Sequence, residues 1–207
     1  MVKFIIVRHG KTDFNRLNKY QGQYDSSLEE LGIRQAEITA EFVAKNYKLD
    51  AIYSSDLSRA VKTAEPFAKA FGLEINTTTA LRELDVGNWT LQLVSEVEKN
   101  DPENMRAYRE SIGTFRFPGG ESFEEARDRA IKKIDEIAKD HDGQTVLLVS
   151  HGGTIRTVIA HWLGYPMAEL DSVRSVKNTS LTVAEYTDGK VEFKLLGDNS
   201  HLPEDMR

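Results

Sequence analysis

The chain has 207 residues, of which 40% are hydrophobic, 29% charged and none cysteine, and its net charge is −6. This composition excludes a disordered chain and a disulfide-stapled domain, and an acidic chain without a long Lys/Arg run is a poor nucleic-acid binder. No apolar run is long enough to cross a bilayer, and the first residues lack the layout of a signal peptide. We therefore expect a cytoplasmic protein that binds neither nucleic acid nor membrane; the sequence indicates no particular oligomeric state.

Strands and helices alternate along the first part of the chain. Short apolar runs predict buried strands, and apolar residues at helical spacing predict helices. Gly72 follows the second of these helices and is a typical helix stop. In chain order, the elements are a strand at 3–7, a long polar loop at 11–27, a helix at 29–46, a strand at 51–53, a helix at 57–71 and a strand at 74–77.

An irregular segment separates this first part from a second alternating part. Ser122 and Glu125 form a capping box, which predicts a helix start. Asp188-Gly189 is a two-residue hairpin signal between two strands. In chain order, the elements are an irregular stretch at 80–120 with short helices at 91–98 and 102–110, a helix that starts at Ser122, a strand at 144–149, a helix at 153–163 and strands at 179–187 and 190–197.

This order of elements predicts an α/β fold. Alternating strands and helices form a mostly parallel sheet covered on both faces, so we expect a three-layer αβα sandwich with an antiparallel hairpin at the carboxy-terminal end. We find no internal repeat and no linker, which predicts a single domain over residues 1–207. Residues 80–120 are the expected lid or insert over the carboxyl edge of the sheet.

Two strands of this predicted sheet each end in a histidine followed by glycine. Arg8-His9-Gly10 follows the first strand, and Ser150-His151-Gly152 follows the strand at 144–149. The carboxyl ends of strands carry the ligand sites of open α/β sheets, and two imidazoles beside an arginine suit an anionic group such as phosphate. His9 is the candidate nucleophile because a neutral imidazole can accept a phosphoryl group and pass it to water. A strand-end histidine that only caps or packs is the alternative.

Further candidates surround these two histidines. Arg8 and Arg59 are expected to clamp phosphate, although an isolated arginine more often forms a surface ion pair. His151 stands where a helix begins, so backbone N–H groups there can bind an anion, and a protonated His151 can stabilise the transferring group. Glu83 can protonate the leaving oxygen and then activate water, and spacing alone does not separate it from Asp85.

A metal site is the competing interpretation of the two histidines. His9, His151 and a carboxylate have the composition of a catalytic zinc set. Arg8 and a second arginine would repel a cation, however, so we expect no metal and no cofactor. The sequence also contains neither a phosphate-binding Walker loop nor a dinucleotide fingerprint.

The ordered set of motifs resembles the histidine phosphatase superfamily in its phosphoglycerate mutase-like branch, and the resemblance spans nearly the whole chain. The opening motif and the second histidine motif carry it together with the segments between them. These segments are Val7-Arg8-His9-Gly10-Lys11-Thr12 with Asn15, Gln21-Gly22 with Asp25, Leu28 to Gly32 with Gln35-Ala36, Tyr53 to Ala60 with Thr63-Ala64, Leu81-Arg82-Glu83, Phe117 to Ser122 and Val149 to Gly153.

The resemblance implies a role for each site residue. It makes His9 the phosphorylated nucleophile and Glu83 the proton donor and acceptor. Gln21 and Gly22 line the substrate side, and no metal is expected. The phosphoryl group is bound by Arg8, Arg59 and His151, assisted by Asn15 and the backbone at Gly152.

Two departures from the family pattern concern specificity. Lys11 stands where glutamate or glutamine is commoner, and Thr90-Leu91 stand where many members have Glu-Gly. The chain is also compact, whereas the mutases tend to be longer. We therefore expect a metal-independent phosphomonoester hydrolase that acts on small phosphorylated metabolites. The alternatives are a 2,3-bisphosphoglycerate-dependent phosphoglycerate mutase and a noncatalytic phosphate-binding module.

Overall fold

A six-stranded sheet forms the centre of the protein, whose computed structural model describes residues 1–207. In chain order the strands are β1 (Val2–Arg8), β2 (Ala51–Ser55), β3 (Ile75–Thr78), β4 (Thr145–Ser150), β5 (Leu181–Thr187) and β6 (Lys190–Asp198). Their order across the sheet is β3-β2-β4-β1-β5-β6. The pairs β1–β4, β2–β4 and β2–β3 are parallel, whereas β5 pairs antiparallel with both β1 and β6. The predicted mostly parallel sheet with an antiparallel hairpin is confirmed.

Helices cover both faces of this sheet. The α-helices of the chain are, in order, α1 (Asp13–Leu17), α2 (Glu30–Asn46), α3 (Ser58–Phe71), α4 (Val94–Asn100), α5 (Pro102–Glu110), α6 (Phe123–Asp140) and α7 (Gly152–Trp162). Of these, α2 and α3 cover one face, and α6 and α7 cover the other. Side chains alternate along a strand. Ile5 and Val7 of β1 therefore pack toward α2 and α3, whereas Phe4 and Ile6 pack toward α6 and α7. The predicted αβα sandwich follows from this double burial and is confirmed.

The segment at 80–120 is packed rather than loose. The indole ring of Trp89 lies 5.4 Å from the ring of Phe115, 5.3 Å from that of Phe117 and 5.6 Å from that of Tyr108, measured between centroids. Its N–H donates to a carboxylate oxygen of Asp101 at 2.8 Å. This aromatic cluster is continuous with the apolar core beneath α6 and α7, so the segment is anchored to the sheet.

Several predicted boundaries differ from the structure for local reasons. The polar loop at 11–27 contains α1, because Thr12 and Asn15 cap its first turn reciprocally. The helix expected at 91 begins at Val94, since Leu91 has a φ of 69° and cannot continue a helix. The strand expected at 51–53 continues to Ser55, which pairs with β3. No helix has the length and hydropathy that crossing a membrane requires.

Candidate active site

The ends of β1 and β4 bring the two predicted histidines together. These strands are adjacent and parallel, with Arg8 opposite Ser150, and the His9 N–H donates to the Ser150 carbonyl at 2.9 Å. The imidazole rings of His9 and His151 are 5.1 Å apart between centroids and are tilted by 55°. Sheet register alone therefore creates the pair, because each histidine is the first residue after its strand.

His9 is held as a neutral imidazole with one free nitrogen. Its side chain is 2% exposed, and Nδ1 lies 2.7 Å from the carbonyl oxygen of Gly10, which can only accept a hydrogen bond. The proton is therefore on Nδ1, and Nε2 carries the lone pair. Burial, the charge of Arg59 and the charge of Arg8 lower the pKa of His9 well below its usual value. The neutral form with a free nitrogen is the form that attacks an electrophile.

His151 is held as a neutral imidazole in the ligand-free site as well. Burial, followed by the charges of Arg59 and His9, lowers the pKa of His151 well below its usual value. Arg59 Nε donates to His151 Nδ1 at 3.2 Å, so the ring proton lies on Nε2. This buried Nε2–H has no hydrogen-bond partner in the protein. A neutral His151 can still donate one hydrogen bond to an oxygen of a bound anion.

Arg59 organises the site as much as it supplies charge. Besides its bond to His151, it donates to the carbonyls of Tyr24 and Gly22 at 2.8 Å each. Three of its five N–H groups are thereby used, and two remain for a ligand. Burial lowers the pKa of Arg59 to about 10, and the charges of Glu83 and Asp25 oppose this shift. Arg59 stays charged near neutral pH and ties the loop before α2 to His151.

Arg8 makes fewer hydrogen bonds within the protein than Arg59 does. Its Nη1 donates to the Val176 carbonyl at 2.7 Å, and its buried Nε has no partner in the protein. Burial lowers the pKa of Arg8, and the charge of Glu83 opposes this shift. A Cβ added at Gly152 would lie 3.2 Å from the guanidinium carbon of Arg8. Glycine at this position therefore lets the Arg8 guanidinium lie directly against the first residue of α7.

Glu83 caps the amino-terminal end of α7. Its carboxylate accepts the backbone N–H of Gly153 at 3.1 Å and that of Thr154 at 3.0 Å. A Cβ at Gly153 would lie 2.8 Å from Glu83 Oε1, so this contact needs glycine. Two of the backbone N–H groups that the sequence analysis expected to bind an anion therefore bind the Glu83 carboxylate instead.

The structure distinguishes Glu83 from Asp85 as the candidate acid, which residue spacing alone did not do. The Asp85 carboxylate accepts the N–H of Gly87 at 2.9 Å inside a turn, away from the cavity lining. Glu83 lines the cavity, and its backbone carbonyl accepts hydrogen bonds from Gln23 and Arg129 at 3.2 and 3.1 Å. Glu83 is thus fixed from both its backbone and its side chain.

A cavity of about 270 Å³ opens over these groups. His151 is fully buried between His9 and Arg59. Gln21 accepts the hydroxyls of Thr12 and Ser26 through Oε1, which leaves its amide NH₂ for a ligand. The other eight predicted site residues line the cavity: Arg8, His9, Asn15, Gln21, Gly22, Arg59, Glu83 and Gly152.

Other lining residues were missed by the sequence analysis. Arg156 had a readable signal, because it lies four residues after Gly152 and hence on the same face of α7. Lys19 and Tyr108 had none, since their positions depend on how the irregular segments fold back. The missed polar residues are Lys19, Tyr20, Tyr108, Gly153, Arg156 and Ser175.

Comparisons with known proteins agree with this geometry. A family model described as the histidine phosphatase superfamily (branch 1) matches residues 4–199. A metal-independent phosphoserine phosphatase of Arabidopsis thaliana is 34% identical over 98% of this chain and 84% of its own length. Phosphoglycerate mutase-like protein 4 of the same plant is 36% identical over 98% of this chain and 87% of its own.

A solved structure shows the same fold. It is the mycobacterial glucosyl-3-phosphoglycerate phosphatase in complex with VO3, which superposes with a TM-score of 0.88 at 31% identity. The match covers 95% of this chain and 99% of that one. The similarity therefore extends over the whole sheet and both helical layers.

Proposed function

The chain belongs to the histidine phosphatase superfamily, and we propose that it hydrolyses small phosphomonoesters without a metal ion through a phosphohistidine at His9. The family and the phosphatase class predicted from the sequence are confirmed by the match over residues 4–199 and by relatives that are named phosphatases. The observation that carries the residue assignment is the buried, neutral His9, which has an unprotonated Nε2 and lines a cavity together with Arg8 and Arg59.

In the first half-reaction, His9 Nε2 attacks phosphorus and the bond from phosphorus to the leaving oxygen breaks. The His9 Nδ1–H bond to Gly10 orients the ring and stabilises the charge that it gains. Arg8, the two remaining N–H groups of Arg59 and the Nε2–H of His151 donate to the phosphoryl oxygens. Asn15, the Gln21 amide and the backbone of Gly152 complete the set.

Glu83 moves the proton in both half-reactions. In its protonated form, Glu83 gives its proton to the leaving oxygen, so that an alcohol rather than an alkoxide departs and the Glu83 carboxylate remains. The resulting carboxylate then takes a proton from water, which attacks phosphorus and breaks the phosphorus–Nε2 bond of His9. Inorganic phosphate leaves, and both His9 and Glu83 return to their starting states.

A mutase is the second candidate, because one relative is named a phosphoglycerate mutase-like protein. A mutase must hold a second phosphate while the phosphohistidine waits. The cations of the 80–120 segment do not line the cavity: Arg106, Arg109 and Arg116 pair with glutamates at the surface, and Lys99 is exposed. Lys19 and Arg156 do line it, so its cations alone do not separate the two activities. We favour hydrolysis because the chain is compact and two of the relatives reported above are named phosphatases. A noncatalytic module is not favoured, since both the nucleophile and the acid are present.

The sequence-based organisation completes the proposal. We retain residues 1–207 as one domain with 80–120 as its lid or insert, and we retain the cytoplasm as the site of action. The partner is a small phosphorylated substrate.

The first test traps the covalent intermediate. The wild type should form an acid-labile, base-stable phosphoenzyme in a rapid quench, and His9→Ala should lose both the phosphoenzyme and turnover. His141→Ala is the matched control, because His141 contacts Tyr53 outside the cavity. Near-wild-type turnover by His9→Ala would show that the nucleophile is another group.

The second test asks whether activity needs a metal ion and whether the enzyme acts as a hydrolase or as a mutase. Activity should survive EDTA and be inhibited by vanadate; loss in EDTA that a divalent ion restores would contradict the metal-independent mechanism. Release of inorganic phosphate should exceed interconversion of 2- and 3-phosphoglycerate after priming with 2,3-bisphosphoglycerate. Efficient interconversion with little phosphate release would replace the hydrolase by the mutase and leave the His9 chemistry unchanged.

A further inference from the structure

The cavity has a second cationic region that the phosphoryl-transfer chemistry does not use. Lys19 and Arg156 line it together with the two site arginines. Glu83 is the only acidic side chain in the lining. A second charged group on the substrate is therefore expected to be negative, because an ammonium group would meet four cations and one carboxylate that already serves in proton transfer.

The guanidinium of Arg156 is fixed in place and partly unsatisfied. The side chain is 14% exposed; Nε donates to the Val173 carbonyl at 2.7 Å, and Nη2 donates to the Leu170 carbonyl at 2.9 Å. Nη2 also lies 3.5 Å from a carboxylate oxygen of Asp171, which is more than half exposed and offsets little of the charge. Nη1 makes no hydrogen bond within the protein.

Tyr108 lines the same cavity as Arg156. Burial raises the pKa of Tyr108, the charge of Arg156 opposes this shift, and the charge of Glu83 adds to it. Tyr108 thus lies within the field of both groups and keeps its proton. Its ring is held by Trp89 and Phe115, with centroids 5.6 and 5.4 Å away, and it faces the cavity as one of the lining residues. It is a second pre-positioned donor.

We infer that Arg156, assisted by the Tyr108 hydroxyl, binds a carboxylate of the substrate, so that the preferred substrates are small phosphomonoesters that carry a carboxylate. This inference rests on the proposed phosphatase function. One free guanidinium nitrogen and one hydroxyl match the two oxygens of a carboxylate. A cavity of about 270 Å³ limits the substrate to a short carbon skeleton. Lys19, half-buried at the rim, adds attraction for the same charge.

The test uses two substrates that differ only in the carboxylate, 3-phosphoglycerate and glycerol 3-phosphate. The wild type should prefer 3-phosphoglycerate in kcat/KM. Arg156→Gln should reduce this preference by about 10- to 100-fold, mainly through KM, as expected for the loss of one charge-assisted hydrogen bond. Tyr108→Phe should reduce it less. Arg106→Gln is the matched control, because Arg106 pairs with Glu110 at the surface.

A structural role of Arg156 predicts a different result, since its bonds to Leu170 and Val173 also hold that segment. Misplacement of the segment would lower kcat/KM for both substrates alike and leave the preference unchanged, which would overturn the inference. Arg156→Lys provides a second reading: it keeps the charge and should retain part of the preference. A wild-type enzyme that hydrolyses both substrates equally would also overturn it.

Binding separates this inference from the proposed function. Calorimetry on the His9→Ala background, with and without Arg156→Gln, measures affinity for the two compounds in the absence of turnover. If the wild type released no phosphate from any phosphomonoester, the proposed function would fail. The carboxylate subsite would still be supported by tighter binding of 3-phosphoglycerate that depends on Arg156, and refuted by equal binding of the two compounds.

Discussion

Two neutral histidines buried against two arginines should make the ligand-free protein lose stability between pH 7 and pH 5. An unfolded histidine has a pKa of about 6.5. In the fold, burial and the charge of Arg59 hold the pKa of His9 and that of His151 far lower. As the pH falls through about 6.5, the unfolded chain therefore takes up protons that the native state does not, and unfolding becomes more favourable. Above this pH both states hold neutral rings and the contribution disappears.

The size of this effect follows from linkage. Each histidine that is protonated only in the unfolded state lowers the free energy of unfolding by up to about 1.4 kcal/mol per pH unit. At pH 6.5 an unfolded histidine is only half protonated, so His9 and His151 together give about 2 kcal/mol between pH 6.5 and 5.5, a sizeable part of the stability of a typical domain. Carboxylates with lowered pKa values, such as Asp56 and Asp101, act in a lower window, because their unfolded pKa is about 4.

Urea unfolding at several pH values in phosphate-free buffers measures this slope. His9→Asn and His151→Asn remove one titrating ring each, and an asparagine amide can replace the Nδ1 hydrogen bond to Gly10 or from Arg59. Each variant should lose about half of the slope between pH 6.5 and 5.5. His141→Asn is the matched control, because His141 contacts Tyr53 outside the cavity. Equal slopes for the wild type and both site variants would refute the assignment of two buried neutral histidines.

Two further predictions concern Glu83. Glu83→Gln cannot donate a proton, so kcat should fall by two or more orders of magnitude for alkyl phosphates and much less for p-nitrophenyl phosphate, whose leaving group needs little protonation. Equal losses on both substrates would argue against the acid role of Glu83. Gly153→Ala places a Cβ 2.4 Å from Leu84 Cδ1 and 2.8 Å from Glu83 Oε1, so it should displace both side chains and give the same substrate-dependent loss. A Gly153→Ala enzyme with wild-type kcat on alkyl phosphates would show that this contact is not needed.

The sheet, and the placement of the two histidines at the ends of adjacent strands, were predictable because both depend on local sequence patterns. Apolar runs mark the strands, and the residues that follow β1 and β4 must meet once those strands are parallel neighbours. The capping box at Ser122 and the turn at Asp188-Gly189 were readable for the same reason, since each requires only a few adjacent residues. Segment ends were less predictable where one backbone angle decides them, as at Leu91.

The protonation states of the site residues were less predictable than the identity of the residues that form the site. Which nitrogen of His9 carries the proton depends on a carbonyl that the fold brings within 2.7 Å. The charge of His151 depends on burial and on Arg59, which lies 92 positions away in the sequence. The second cationic region joins Lys19 and Arg156, which come from unrelated segments. Arg156 alone could be read from its spacing to Gly152, whereas the combination arises from tertiary packing.

The division of charge in the site explains how one cavity can both bind a phosphoryl dianion and attack it. Arg8 and Arg59 supply the fixed positive charge, and the same charges keep His9 neutral by lowering its pKa, so the nucleophile is available before substrate arrives. A bound phosphoryl group offsets the arginines, which favours the positive charge that the His9 imidazole gains as it forms its bond to phosphorus. His151 contributes differently: its Nδ1 accepts the Nε–H of Arg59, so its unpartnered Nε2–H faces the bound anion as a neutral donor.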